Sequence, residues 1–285
     1  MTRPARPPVA IAVPHPSARR LPGVGMAGFR QLAPEPAGIA MVAHPAVTLL
    51  IDLSDAGRGI VHHAHGRHTR GSVVVGLLPG DLRAAGREAE CLQIRLEPVA
   101  AAAVLGAAPE LTGAVVSLED VWGRDAGRVE DRLRAAASWD ERFAIAADFL
   151  ARRRSARARP PVDPEVAHVW RRTLGSRGRV RVEDLADEVG WSRQLLWARF
   201  RSQLGVTPKR AARLVRFDHA AHLLAAGRAA AGVAAESGYA DQSHLHREVR
   251  TFTGLTPTAV AAAPWLAVDA TAWPGSAPVA GAAPA

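Results

Sequence analysis

The chain is short of cysteine, of acidic charge and of long apolar runs, and each shortage removes a class of protein. One cysteine, Cys91, in 285 residues excludes an internal disulfide framework. Its alternating apolar neighbours place it on a buried strand, and a reducing, cytoplasmic compartment fits. Nowhere do about 18 consecutive apolar residues occur, so no membrane span is expected. Arg3 and Arg6 open the chain, but prolines at 4, 7, 8, 14 and 16 interrupt any apolar stretch that an export signal would need. No nucleophile, base and acid fall at catalytic spacing, and neither a phosphate-binding glycine loop nor paired zinc ligands are found. No catalytic residue, cofactor or metal is therefore expected, and the chain is read as a non-enzyme.

What is present is basic charge. Lys and Arg number 36 against 27 Asp and Glu, a formal net charge of +9, and the excess is almost wholly arginine. Guanidinium matches phosphate and guanine edges better than ammonium does, so polyanionic partners are favoured. GC-rich coding enriches arginine, alanine, glycine and proline together, so composition alone does not decide the point.

The expected class is α+β, with a small N-terminal antiparallel β-barrel or sandwich, a cupin-like domain, and flanking helices, then an all-α domain. Residues 1–25 and 266–285 are rich in proline, alanine or glycine and read as disordered tails. Within 26–152, GIAMVA, VTLLIDL, SVVVGLL and ECLQIRL are short strand-like runs, with Leu92, Ile94 and Leu96 on one face. From Pro98 the period turns helical, placing Val129 with Leu133, and Phe143 with Ala147 and Leu150. Residues 153–164 combine an arginine run with prolines and read as a linker before a domain at 165–265.

That last domain contains a repeat. Residues 185–208 (LADEVGWSRQLLWARFRSQLGVTP) and 233–257 (VAAESGYADQSHLHREVRTFTGLTP) align Gly190 with Gly238 and Pro208 with Pro257, with one residue inserted. Ala186 and Ala234, four residues before each glycine, are small enough for two helices to cross closely. The glycines supply the turn of a helix-turn-helix. Ser192 is placed to cap the next helix, with Leu195, Leu196, the Arg199 stem and Phe200 inward. Arg193, Gln194, Trp197 and Arg201 then point outward. In the second copy Asp241 is the cap, Leu245, Val249 and Phe252 turn inward, and Gln242, Ser243, His244, His246 and Arg247 are left for the outer face. Glutamine pairs with adenine and arginine with guanine in the major groove, which is where such helices read. Between the copies a helix of about 19 residues, about 28 Å long, acts as a spacer. Major-groove faces on one side of a duplex repeat every ~34 Å, so two readers can sit on adjacent turns. Lys209, Arg213 and Arg216 on this spacer are expected phosphate contacts, with Arg210 beside them.

The duplicated unit, the spacer with Leu214, Arg216, Phe217, Ala220 and Leu223, and the segment GYADQSHLHREVRTFTGLTP together resemble the DNA-binding domain of the AraC/XylS family over residues 166–263. Val249, usually phenylalanine in the family, and Trp197, usually polar, are departures. The resemblance implies a transcription factor, usually an activator, that binds double-stranded DNA at direct repeats and contacts RNA polymerase. It also implies a sensor domain taking a small-molecule effector, and a homodimer formed through the first domain. His62, His63, His65 and His68 follow Gly57 in a spacing that resembles the start of a metal-binding cupin motif. The glutamate that motif needs next is replaced by Thr69 and Arg70, so a loop with exposed histidines is expected instead of a metal site. The alternative of an enzyme with an AraC-like appendage, whether a cupin metalloenzyme or a cysteine-dependent DNA-repair protein, lacks the ligands and thiols its chemistry requires.

Overall fold

The computed structural model describes residues 9–31, 37–41, 43–55, 59–78, 80, 82–86, 88–106, 109–156, 162–262 and 272–273. Its first part is β-rich. Strands β1 (Val9–Ala12), β2 (Val24–Gln31), β4 (Val47–Asp52), β7 (Val73–Val75), β9 (Glu90–Leu96) and β10 (Val115–Ser117) form one sheet in the order β1-β2-β9-β4-β7-β10. Strands β3 (Ala37–Met41), β5 (Val61–Ala64), β6 (Arg67–Arg70) and β8 (Leu82–Gly86) form a second sheet, ordered β3-β8-β5-β6. Every pairing is antiparallel. Among the described residues no pairing joins the two sheets, so of the barrel and the sandwich that the strand spacing allowed, two separate sheets are formed and no closed ring.

The alternation read from the sequence sets the central strands. Leu92, Ile94 and Leu96 of β9 share a face and are buried with Leu49 and Ile51 of β4. Helices α1 (Pro98–Leu105), α2 (Leu118–Trp122), α3 (Arg124–Ala135) and α4 (Trp139–Ser155) follow. Ser138 caps α4 by accepting from the Glu141 amide at 3.2 Å. Val129 and Leu133 of α3 meet the same core as Phe143 and Leu150 of α4.

The second part is helical: α5 (Pro164–Gly175), α6 (Val182–Glu188), α7 (Arg193–Leu204), α8 (Pro208–Ala225), α9 (Ala230–Glu236), α10 (Gln242–Thr253) and α11 (Pro257–Ala261). Helix α8 packs against α5, α7, α9, α10 and α11, which makes it the axis of this domain. One hydrophobic cluster runs without a break from β4 through Trp170 to Val260. The end of α7 abuts the 109–112 turn of the first part, since a Cβ on Gly205 would lie 2.7 Å from the Pro109 carbonyl oxygen. Asp163 is locked to α7 as well, its amide donating to Gln203 Oε1 at 2.7 Å while Gln203 Nε2 donates to Asp163 Oδ2 at 2.7 Å.

Three sequence expectations differ from this architecture. Residues 9–12, inside the stretch read as a tail, form β1, because pairing along β2 satisfies their backbone. Ala272 and Trp273, inside the other tail, are buried beside Ala27 of β2, with the Arg95 guanidinium 4.3 Å from the indole centroid. Residues 1–8, 266–271 and 274–285 of the two tails and residues 157–161 of the expected linker lie outside the described residues. The histidine run is a hairpin instead of a loop. His62 is 2% exposed and donates from Nε2 to the Gly71 carbonyl at 3.0 Å, whereas His63 and His68 face each other across β5 and β6 and His65 sits in the turn. Burial holds the His62 pKa below the ordinary histidine value. Among the described residues no three His, Cys, Asp or Glu side chains gather in a metal-binding cluster, and no helix is long and apolar enough to cross a membrane.

Candidate nucleic-acid interface

The two copies fold alike down to single hydrogen bonds. Helices α6 and α9 have 7 residues each, and α7 and α10 have 12 each. In the first turn the Trp191 amide donates to the Ala186 carbonyl at 3.0 Å, and in the second the Tyr239 amide donates to the Ala234 carbonyl at 2.9 Å. Gly190 and Gly238 take φ of 69° and 74°, the left-handed region in which a side chain is strained. Ser192 accepts from the Leu195 amide at 3.2 Å and Asp241 accepts from the His244 amide at 2.6 Å. Thr207 and Thr256 cap the helices that follow in the same way.

The outer face of α7 carries Arg193, Gln194, Trp197 and Arg201, all exposed. Arg193 Nη1 donates to Glu183 Oε1 of α6 at 3.2 Å, so it is steadied from the first helix of the unit. Trp197 is 45% exposed and stacks under Arg201, whose guanidinium carbon is 5.1 Å from the ring centroid. Leu196, Phe200 and Leu204 turn inward. Leu195 does not: it is 41% exposed, against its expected place in the apolar stripe, because Leu196 one position on takes the core-facing phase of the helix.

On α10, Gln242, Ser243, His246 and Arg247 are exposed, as is the Asp241 cap, while Leu245, Val249 and Phe252 are buried. Gln242 Nε2 lies 3.4 Å from His246 Nε2. His244 is half-buried, edge-on to Tyr239 with centroids 5.2 Å apart. Among the described residues, then, nothing covers the outer face of either helix.

The spacer α8 has 18 residues, about 27 Å at 1.5 Å per residue. Lys209 and Arg210 at its start are exposed. Arg213 and Arg216, expected at phosphates, each have a partner within the protein. Arg213 Nε donates to Glu248 Oε1 at 2.9 Å and Nη2 to Oε2 at 2.8 Å, a two-pronged pair that ties α8 to α10. Glu248 is 4% exposed, and its bonding raises the Arg213 pKa above the ordinary arginine value. Arg216 is half-buried with its guanidinium carbon 4.9 Å from the Tyr239 ring centroid. The polar partner Glu248 escaped the sequence reading because it lies 35 positions from Arg213. A comparable clamp holds α5 to α6, where Arg172 and then His168 hold the Glu188 carboxyl down at about 2.

Residues 185–263 match the family model described as a helix-turn-helix domain. That stretch, which holds both copies of the repeat, is a helix-turn-helix domain. No curated protein matches the chain in sequence. Among solved structures the chain is similar to ToxT from Vibrio cholerae O395, at 11% identity over 86% of this chain and 97% of that one, with a TM-score of 0.46. It is similar to the C-terminal domain of AraT, a response regulator from Geobacillus stearothermophilus, at 19% identity over 35% and 86% of the two chains, with a TM-score of 0.34. The xylose-binding transcription activator xylR is similar at 19% identity over 43% of this chain and 38% of its own, with a TM-score of 0.33.

One buried histidine of α8 is expected to make the helix sensitive to acid. His219 Nε2 accepts from Arg177 Nη1 at 3.3 Å, which requires an uncharged ring. Burial first, then the Arg177 charge, lowers its pKa to about 4, against the opposing pull of Glu236 and with Arg179 and His222 adding to the depression. The unfolded chain therefore binds a proton that the folded chain refuses between about pH 6.5 and 4, and stability falls as pH falls through that window. The loss is up to about 1.4 kcal/mol per pH unit. Urea midpoints taken at pH 7.5 and 5 should diverge less in His219→Gln than in the parent; equal divergence would exclude this histidine as the source.

Proposed function

We propose that the chain is a regulator that sets α7 and α10 into successive major grooves on one side of a double-stranded operator and so controls transcription of the adjoining gene. The observation that supports this most is the pair of equally capped helices α7 and α10, each packed on α8 with its outer residues exposed among the described residues. A 27 Å rod plus the width of the helices packed on it suits a groove repeat of about 34 Å. Arg193, Gln194, Trp197 and Arg201 read one half-site; Gln242, Ser243, His246 and Arg247 read the other. Ser192 and Asp241 orient the two helices as caps, and His244 supports α10 from beside Tyr239. Lys209 contacts phosphate. Arg213 and Arg216 act from within as positioning residues. Leu195 and Trp197 give the first half-site an apolar contact, and the only apolar group on base edges in the major groove is the thymine methyl.

In this reading the first domain receives a small-molecule effector and joins two copies into a homodimer, the DNA-bound form contacts RNA polymerase to activate transcription, and the protein works in the cytoplasm without catalysis. The test begins with footprinting across the genome to obtain operators. On a true operator Gln194→Ala should cost about 1 to 3 kcal/mol and relax discrimination at one position of one half-site. Replacing the contacted thymine by deoxyuridine, which removes a single methyl, should weaken the parent but leave Trp197→Ala unchanged. Equal losses for Gln194→Ala on operator and random DNA would reject base reading by α7.

A further inference from the structure

Helices α3 and α4 face each other across an open cleft of about 580 Å³ whose lining is strongly of one sign. From α3 come Asp125, Arg128, Val129 and Arg132, spaced i, i+3, i+4 and i+7 along one stripe; from α4 come Phe149, Arg152 and Arg153 on the facing stripe. Val104 of α1 completes the floor. Four guanidiniums thus surround one carboxylate over an apolar base.

The single carboxylate is already shared. Asp125 accepts from Arg153 Nη1 at 3.2 Å and lies 3.5 Å from Arg128 Nη1. Arg153 is fixed further, with its Nε donating to the Val104 carbonyl at 3.3 Å and its guanidinium over the Trp122 and Phe149 rings. Arg132 and Arg152 are exposed, and among the described residues neither has a carboxylate within salt-bridge distance. Like charges on facing stripes repel, and at Arg132 and Arg152 no described carboxylate offsets that repulsion. An incoming anion reverses that balance, and the Phe149 and Val129 floor gives its apolar part a place to lie.

We propose that this cleft binds a small organic anion, a carboxylate or phosphate head on an apolar body, with Arg132 and Arg152 holding the head and Val104, Val129 and Phe149 the body. Its volume falls within the range of small-ligand sites, about 300 to 1,000 Å³. The binding assignment rests on the cleft alone; its use as an effector site rests on the reading given under Proposed function.

Titration calorimetry on the full chain without DNA tests it, using 4-phenylbutyrate, its uncharged analogue 4-phenylbutyramide and inorganic phosphate. The acid should bind about tenfold more tightly than the amide and than phosphate, and Arg132→Gln with Arg152→Gln should weaken the acid by about tenfold or more. Because the substitutions relieve repulsion, the melting temperature of the free double variant should equal or exceed that of the parent. Equal affinity for acid and amide, unchanged binding by the double variant, or no heat from the acid up to about 10 mM would overturn the proposal. So would phosphate matching the acid, which marks a bare anion site. A double variant that loses affinity for random duplex with a shallower salt slope while acid binding is absent assigns the cleft to the DNA backbone and overturns it too. None of these outcomes touches operator reading by α7, which the Gln194 experiment decides separately.

Discussion

Arg213→Ala is expected to lower the stability of the helical domain by about 2 kcal/mol and to leave the salt dependence of DNA binding unchanged. Breaking a buried pair from one side costs about 3 to 5 kcal/mol. The figure is reduced here because the Arg213 side chain is 39% exposed while Glu248 is 5% exposed, so water reaches one partner. What remains is a carboxylate inside the α8–α10 contact with its two donors gone. In a domain of about 100 residues such a loss shifts the melting temperature by on the order of 10 °C. Glu248→Ala should be milder, since the freed guanidinium can turn to solvent. Arg213→Met combined with Glu248→Leu should recover most of the loss, because apolar packing replaces the pair without stranding a charge. A phosphate contact behaves differently: its removal reduces the slope of log affinity against log salt by about 0.9 and leaves melting alone. That second pattern would return Arg213 to the DNA surface and dismiss its role as a tie between spacer and reader.

Gly178→Ala should be at least as damaging, by about 3 kcal/mol or more. Gly178 follows α5 at φ 71° with its amide donating to the Thr173 carbonyl at 2.9 Å. Two penalties coincide. A side chain in this left-handed region is strained by about 1 to 3 kcal/mol. A Cβ there would also run into the Ala212 carbonyl oxygen and come within 2.9 Å of the Arg216 amide nitrogen, both in the backbone of α8. Neither can rotate aside, so the spacer would have to move. Gly190→Ala is the control. Its φ is 69°, but a Cβ would meet nothing within 4 Å, so only the conformational cost applies, about 1 kcal/mol. Thermal melts of the two variants should separate them clearly; matching losses would show that the approach of the 176–179 turn to α8 is unimportant.

The contrast between these glycines shows what a sequence conveys. Both stand in turns, and the repeat made Gly190 legible because its partner Gly238 recurs at a fixed place. Gly178 has no counterpart, and its importance comes from α8, some thirty positions away. Leu195 is a similar case at shorter range. With Leu195 and Leu196 adjacent, helical periodicity admits either as the inward residue, and only the packed neighbours assign Leu196 to the core and leave Leu195 beside Trp197 on the reading face. In the first domain the alternation of Leu92, Ile94 and Leu96 sufficed for β9, but short strands such as β1 carry too few residues for a period to register.

The duplicated readers, their caps and the spacer between them were determined by the sequence itself. Each depends on residues within one or two helical turns, where a Ser or Asp cap, a left-handed glycine and a 3.6-residue period act directly on the local backbone. Which arginines are tied into the core was decided only by the tertiary structure. Arg193 and Arg213 look alike in sequence, yet the second meets a buried carboxylate brought from another helix and the first stays at the surface. The same holds for the two-sheet arrangement and for Trp273 on β2. All of these arise from contacts between distant segments, whose energies no local pattern encodes.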